Sequence, residues 1–457
     1  MKEPLNSGRR PEVSVHVAES AARHKSGMVR CEIGREVNFS PDRLSSYFLS
    51  SWKPEVFDAL LVAAGVEFAD RTLRRATHSW ARSIRLHVPV HDVSRWEHPS
   101  VANSLRDALE YLTGDSWELS FYPRKRAATM PSQTSLELPV DVQAVIPFSN
   151  GLDSRAVSGL MARELGSRLV RVRLSTRLQD NERLRQHTPF TNVPYAVKGD
   201  SVESSARSRG FKFSVVSGVA AYLSGASQVV VPESGQGALG PALVPVGQTY
   251  EDYRSHPTFT RRMQQFLKEL FDRDIEFVFP HIWHTKGETL RLFIEQCNDP
   301  FWANTRSCWQ KRFVSFDGVQ RQCGICAACM LRRMSIHSAG GAEPKEQYVW
   351  ERLDASSLEQ GAATGYPQER APKAMREYAI AGTLHLDHLA ALSKRPGGQV
   401  MLDVSSFHLA QALGMGRDAV RTKLDRMLMQ HSHEWSAFLL SLGKDSFIRR
   451  WATEVQE

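Results

Sequence analysis

Cysteine is scarce, six in 457 residues, so a disulfide-stapled scaffold is excluded. No run of about 18 apolar residues occurs, and no transmembrane helix is expected. Residues 1–26 are polar, without an apolar signal core; they read as a flexible arm, and the cytoplasm is the expected location. There is no internal repeat and no long low-complexity tract. No Ser/His/Asp triad can be assembled by spacing, and no basic and aromatic stripe suggests nucleic acid. Neither sign of charge dominates: 58 Lys and Arg stand against 50 Asp and Glu, giving +8 spread along the chain. That excess mildly favours phosphate-bearing partners and goes no further. What is present, 42% hydrophobic and 24% charged residues, is the composition of a globular protein of two or three domains.

The most informative segment is Pro147-Phe148-Ser149-Asn150-Gly151-Leu152-Asp153-Ser154. It follows the apolar run Val142–Ile146 and precedes a helical pattern (Val157, Leu160, Met161, Leu165) stopped by Gly166. A small-residue loop between strand and helix aims backbone N–H groups and a helix N-terminus at one point, which suits an anion. Ser149 and Ser154 add hydroxyls, and Asp153 has the chemistry to orient Mg²⁺ or a nucleophile. The Gly-Lys-Ser/Thr ending of a Walker loop is missing. An ordinary strand–turn–helix corner with a polar cap has the same spacing, and both readings stay open on this evidence.

Before that loop, Ser83–Val90 and Trp117–Phe121 read as strands and Val101–Leu112 as a helix ended by Gly114. After it, strands are expected at Leu169–Leu174 and Gln228–Val231. The alternation predicts an α/β domain with a parallel sheet and ligand loops at the strand carboxyl ends. The last strand runs into the Gly-rich loop Pro232-Glu233-Ser234-Gly235-Gln236-Gly237, expected at the same edge. Residues 123–135 and 359–374 read as linkers, and the tail from Met375 as helical. Its Leu409-Ala410, Leu413-Gly414, Val420 and Leu424 have helix-turn-helix spacing, which packed helices also produce. His385 and His388 are expected on a solvent-facing helix surface.

Four of the six cysteines cluster: Cys308, then Cys323-Gly-Ile-Cys326-Ala-Ala-Cys329. Four thiolates satisfy Zn²⁺ as a closed structural site. The resulting charge of −2 has Arg306, Arg312, Arg321, Arg332 and Arg333 nearby in sequence. An iron–sulfur cluster shares the Cys-x₂-Cys-x₂-Cys start, but Arg333 stands where its fourth cysteine would fall. His281 and His284 form an i, i+3 pair with no third ligand near. Thr285 to Glu288 reads as a capped helix start, with Glu288 at the capping-box position.

In order, Ser149-x-Gly151-Leu152-Asp153-Ser154, Thr285-Lys286-Gly287-Glu288 and the cysteine block resemble the N-type ATP pyrophosphatases, specifically the 7-cyano-7-deazaguanine synthase (QueC) branch. The resemblance covers roughly residues 140–340. It implies an α/β, parallel-sheet, Rossmann-like ATP pyrophosphatase (PP-loop) core with a Cys₄ zinc knuckle, plus an α+β N-terminal domain and a helical C-terminal region. The corresponding domains are a 1–26 arm, a 27–135 accessory domain and linker, a 136–345 catalytic domain, and 346–457 linker and helical tail. By resemblance Ser149, Asn150, Gly151, Leu152, Asp153 and Ser154 bind ATP. Asp153 and Lys286 are catalytic, while Glu233, Gly235 and Gln236 face substrate. Cys308, Cys323, Cys326 and Cys329 hold Zn²⁺, and ATP and Mg²⁺ are the other cofactors.

The implied enzyme is a ligase that forms AMP and pyrophosphate while adenylating a 7-deazaguanine-type carboxylate. Asn150 replaces a family glycine, so a residue at φ > 0 is expected there. The added segments and the long Cys308–Cys323 spacer resemble instead the larger QueC-like members of anti-phage systems, such as QatC. There the activated carboxylate joins a protein amine, so the implied partners are a deazaguanine-type substrate and a protein acceptor from the same operon. A homodimer is admitted, and neither membrane nor nucleic acid is expected. The alternatives carried are a nitrile-forming synthase, a non-catalytic nucleotide-binding scaffold, and a tRNA-modifying pyrophosphatase.

Overall fold

The computed structural model describes residues 12–19, 27–42, 53–75, 79–125, 141–175, 190–203, 206–247, 249–309, 314–367 and 373–452. In chain order its first elements are β1 (Glu12–Ala18), β2 (Val29–Glu32), β3 (Val37–Phe39), α1 (Pro54–Thr72), β4 (Ser83–Val90), α2 (Pro99–Thr113), β5 (Ser116–Pro123) and β6 (Ala144–Pro147). Then come α3 (Leu152–Leu165), β7 (Leu169–Ser175), β8 (Phe190–Val197), α4 (Arg209–Ser224), β9 (Gln228–Val230), α5 (Pro257–Phe271), β10 (Glu276–Val278) and α6 (Lys286–Cys297). The rest is the hairpin β11 (Val314–Phe316) and β12 (Val319–Arg321), α7 (Ala327–Ser338), α8 (Lys373–Ala391), α9 (Gly398–Leu413) and α10 (Arg417–Ser441). Among the described residues no helix is long and apolar enough to cross a membrane.

The chain divides into two compact units. One comprises Met1–Phe148, Leu165–Val231 and Phe259–Val278; the other comprises Ser149–Glu164, Pro232–Thr258 and Phe279–Glu457.

The first unit contains two sheets. One has the order β2-β1-β4-β5 and is parallel throughout. Two expectations are corrected here. Residues 12–18, inside the segment read as an arm, form an inner strand of this sheet, because Val15 and Val17 alternate into the core. The N-terminal region is therefore α/β rather than α+β, its helices α1 and α2 lying in the connections between parallel strands. Helix α1 is buried along most of its length, from Val56 to Asp70, as expected of a helix apolar all round. A Cβ on its Gly65 would stand 3.0 Å from Val17 Cγ2, so glycine lets helix and strand approach. The buried charges of this region serve packing: Arg82 bridges Asp70 at 2.6 Å and Asp115 at 2.5 Å.

The second sheet has the order β10-β9-β6-β7-β8-β3, parallel except for the antiparallel β3 edge. Ala144, Val145 and Ile146 are fully buried in β6, the continuous apolar run of an inner parallel strand. Chain order reverses between β6 and β9, which neighbour each other although β7 and β8 intervene in sequence. The carboxyl ends at such a switch point are where open α/β sheets bind ligands. The loops that leave these two strands are Ser149–Ser154 and Glu233–Gly237.

The second unit is largely helical. Leu152, Ala156 and Leu160 of α3 pack with Leu290 and Phe293 of α6 and Ile336 of α7. Gly159 admits the Phe293 ring, which would lie 2.4 Å from a Cβ there. Leu409, Ala410, Val420 and Leu424 are buried with Leu239 and Ile282, so the spacing in α9 and α10 is that of packed helices. The expected linker at 359–374 is in part packed structure: residues 358–361 are helical, and Ala363 is buried. The linker expected at 123–135 falls mostly outside the described residues.

Candidate active site

All the site residues predicted from sequence lie in the second unit. Ser154, buried in the first turn of α3, accepts a hydrogen bond from Ser149 N at 3.1 Å, and its Oγ lies 3.1 Å from Ser149 Oγ. Ser149 Oγ also accepts from Gly151 N at 3.1 Å. The two hydroxyls thus cross-link the loop and set its curvature. Leu152 is buried in the helical core, so it anchors the loop and offers only backbone to a ligand. Asn150 is corrected. The non-glycine residues with positive φ are Asp141, Asp272, Asn298 and Asp317 among those described. Asn150 is not one of them, so its side chain enters no left-handed strain. Its exposed side chain leaves the carbonyl to accept from Arg306 N at 2.7 Å. Arg155, just inside the helix, is fastened to Asp299 at 2.8 Å.

Lys286 meets this loop from α6. Thr285 caps that helix, accepting from Glu288 N at 3.1 Å while Glu288 Oε2 accepts from Thr285 N at 2.8 Å. This is the capping box expected from Thr285 and Glu288. Lys286 is the first helical residue. Its ammonium forms an ion pair with the Asp153 Oδ2, the two side chains 9% and 13% exposed. The other carboxylate oxygen, Asp153 Oδ1, is buried with no hydrogen-bond partner. An acceptor in that state fits a cation or a ligand proton, since burying it bare is costly.

Glu233 is electrostatically linked to the same pair. Burial and then the Asp153 charge push its carboxyl up to about 7, against the pull of Lys286 and Arg254. Two glycines follow Glu233 closely in the loop, and of these Gly235 is the one that backbone confines. A Cβ at Gly237 would lie 2.4 Å from Glu233 Oε2, and one at Gly235 only 2.3 Å from Ile282 O. Gln236 is 1% exposed and points away from any open surface. Its Oε1 accepts from Lys286 N at 2.7 Å, and its Nε2 meets His431 Nδ1 at 2.7 Å. Gln236 is therefore a buried bridge, where sequence had suggested a substrate contact. His431 and Glu434, which complete this bridge from α10, carry no motif and were not foreseen. His385 is corrected likewise. It is buried, with Nδ1 2.7 Å from Val244 O, because the face of α8 that carries it packs inward.

The four cysteines converge. All four Sγ atoms lie within 4.8 Å of one another, and Cys323 Sγ is 3.9 Å from Cys329 Sγ. Tetrahedral Zn²⁺ with bonds of about 2.3 Å requires sulfurs about 3.8 Å apart, so the cluster fits one ion better than a larger iron–sulfur group. Cys323 N points to Cys308 Sγ and Cys326 N to Cys323 Sγ, each at 3.4 Å. Gly324 makes this possible: its φ is +89°, and a Cβ would stand 2.8 Å from Trp350 O.

Hydrogen bonds from Cys323, Cys326 and Cys329 hold the Cys308 thiol far below its ordinary value. Cys323 is pushed up by Cys308, and Cys329 by burial. Cys326 is lowered as well: its hydrogen bond with Cys308 raises it, but those from Cys323 and Cys329 outweigh that. The cluster thus favours negative charge, and ionising all four thiols together needs a bound cation. The long spacer contains the β11–β12 hairpin, turned by Asp317 and Gly318 at φ of 51° and 70°, the signature of a type I′ turn. Of the arginines named from sequence, Arg332 pairs with Glu343 at 3.0 Å and Arg321 with Glu351 at 2.7 Å. Arg333 is lowered chiefly by burial, with Tyr348, Glu343 and then Cys329 pulling the other way. Arg312 lies outside the described residues. His281 and His284 lie side by side with tilted rings, centroids 5.3 Å apart and planes at 55°. The cysteine set is the one metal-capable cluster among the described residues.

Residues 238–340 match the family model described as "Queuosine biosynthesis protein QueC". The matched stretch holds Lys286 and all four cysteines; Ser149–Ser154 and Glu233–Gln236 precede it. No solved structure matches the chain. The match supports a QueC-like PP-loop ATP pyrophosphatase, an ATP-using enzyme whose chemistry is adenylation of a carboxylate or related group. It is consistent with the parallel α/β sheet and with a four-cysteine cluster able to hold a metal such as zinc.

Proposed function

We propose that the protein is a carbon–nitrogen ligase that adenylates a 7-deazaguanine-type carboxylate and transfers the acyl group to an amine. The observation that carries this reading is the Asp153–Lys286 pair at the head of α3, with Glu233 in electrostatic contact. In the first step a carboxylate oxygen attacks the α-phosphorus of ATP, the bond to the β-phosphate oxygen breaks, and pyrophosphate leaves. Donors of Ser149–Ser154 and the Lys286 ammonium would stabilise the charge that grows on it. Lys286 is placed by its helix and held by a carboxylate, so it needs little reorganisation. Mg²⁺ would neutralise phosphate charge, with Asp153 Oδ1 the available ligand.

In the second step the amine nitrogen attacks the acyl carbon, the carbon–oxygen bond to AMP breaks, and the amine proton passes to a base. Glu233, whose carboxyl titrates near neutrality, is suited to take it. The acceptor we favour is a protein amine encoded in the same operon, in an anti-phage role like that of the QatC branch. The features supporting that choice are the regions flanking the family match on both sides. The four cysteines would hold Zn²⁺ as a structural knuckle. The alternative of a non-catalytic scaffold draws on Asn150, which replaces a family glycine; Asn150 is not among the described residues at positive φ, which favours the catalytic reading.

The test is incubation with ATP and 7-carboxy-7-deazaguanine, followed for AMP and pyrophosphate. Neighbouring operon proteins are then weighed intact after exposure. A deazaguanine-sized addition to one of them supports the ligase; release of free nitrile supports the synthase. Absence of AMP, with Asp153→Ala indistinguishable from wild type, overturns both.

A further inference from the structure

We propose that helix α10 is part of the adenylation site, with His431 and Glu434 as positioning residues that hold Lys286 in place. This rests on the adenylation reading above. The residues stand about one turn apart, on the same face of α10, and both are buried.

His431 is fully buried, with Nε2 2.9 Å from Leu386 O. A carbonyl only accepts, so Nε2 carries the hydrogen and Nδ1 is left as an acceptor. Nδ1 lies 2.7 Å from the Gln236 side-chain nitrogen, which donates to it. That sets the orientation of the Gln236 amide and leaves its oxygen for Lys286 N, 2.7 Å away. Every donor and acceptor in this line is specified by the carbonyl at its far end.

Glu434 grips the same point from the other side. Its Oε1 accepts from Thr285 Oγ1 at 2.5 Å and from Gln430 Nε2 at 3.2 Å. Thr285 is the cap of the helix that Lys286 begins. A Cβ at Gly287 would come within 2.8 Å of Glu434 Oε1, so the carboxylate lies directly against the first turn of α6. A carboxylate there also complements the positive end of α6. The backbone of Lys286 and the residue before it are thus both tied to α10. The family match ends at residue 340 and α10 begins at Arg417, so the tail supplies support that the matched stretch does not contain.

The experiment uses the full chain and two readouts. The first is independent of activity: acetylation of Lys286 by acetic anhydride, quantified by peptide mass spectrometry. The second is exchange of labelled pyrophosphate into ATP, dependent on 7-carboxy-7-deazaguanine. In His431→Phe and Glu434→Leu, Lys286 labelling should rise several-fold. Exchange kcat should fall about 100-fold, the scale of an ångström-sized misplacement. The KM for ATP should move less than about 3-fold, because ground-state binding is retained. His431→Asn and Glu434→Gln keep the acceptor atoms and should restore most of both signals. Unchanged labelling, or exchange per folded molecule equal to wild type in all four variants, overturns the proposal. Raised labelling with no exchange by wild type leaves the positioning role standing and overturns the adenylation reading.

Discussion

The ammonium of Lys286 closes on the carboxylate of Asp153, joining the first residue of α6 to the first turn of α3. Both side chains are nearly buried, and each is held by a helix start whose backbone is separately secured. Removing one member leaves the other as an unpaired buried charge. Lys286→Ala and Asp153→Ala are each expected to lower carboxylate-dependent pyrophosphate exchange by about 10²- to 10³-fold. Lys286→Arg should recover little, since a planar fork does not replace a point charge. Initial rates at saturating ATP check this, with Asp153→Ala also losing any Mg²⁺ dependence.

Gly235 and Gly416 make a matched pair for the loop argument. A Cβ at Gly235 meets Ile282 O at 2.3 Å, whereas nothing lies within 4 Å of one at Gly416. Gly235→Ala should cost about 1–3 kcal/mol by overpacking against backbone. Gly416→Ala should stay within about 0.5 kcal/mol of wild type. Urea unfolding midpoints at equal m distinguish them.

The cysteine cluster predicts one tightly held zinc per chain, measured by elemental analysis after exhaustive dialysis. Cys326→Ala or a strong chelator at low pH should release it. Loss of the metal should lower the melting temperature, because Cys323, Cys326 and Cys329 lie in a buried core with Trp350, Phe438 and Trp435. A chain that retains its melting profile while metal-free would overturn the structural assignment.

Acid should destabilise the second unit through buried histidines. Burial lowers His431 and His385 to about 4, and His256 to about 3, from an ordinary value of 6.5. The folded pKa is depressed, so their stabilising effect is complete above the unfolded value and is lost as pH falls. The unfolded chain takes up protons from about pH 6.5 downward, while the folded chain resists until about pH 4. For His431 alone this amounts to about 3 kcal/mol across that window. Denaturant titrations from pH 7 to pH 4 should show the decline, and His431→Asn should flatten it.

Local patterns carried much of this protein. The loop at Ser149, the helix start at Thr285 and the cysteine block are contiguous motifs with fixed stereochemistry, and each was legible as written. The period-2 alternation of Ser83–Val90 and the apolar run before Pro147 likewise marked strands. Polarity misled at residues 1–26, where Val13, Val15 and Val17 alternate with Glu12, Ser14 and His16 in a strand set among polar residues. It misled again at His385, since a histidine on a helix shows nothing of which face packs. Asn150 was weighed as a strained position by analogy, but backbone angles follow from the whole turn.

Capping boxes, tight loops and metal knuckles depend on neighbours within a few positions, so the local geometry of the Thr285 cap and the four-cysteine cluster was readable along the chain. Tertiary structure alone decided which of them meet. The switch between β6 and β9, the closure of Lys286 on Asp153 and the reach of His431 to Gln236 bring distant segments together. Such contacts are selected by the packing of complete helices and sheets, and no local spacing encodes them.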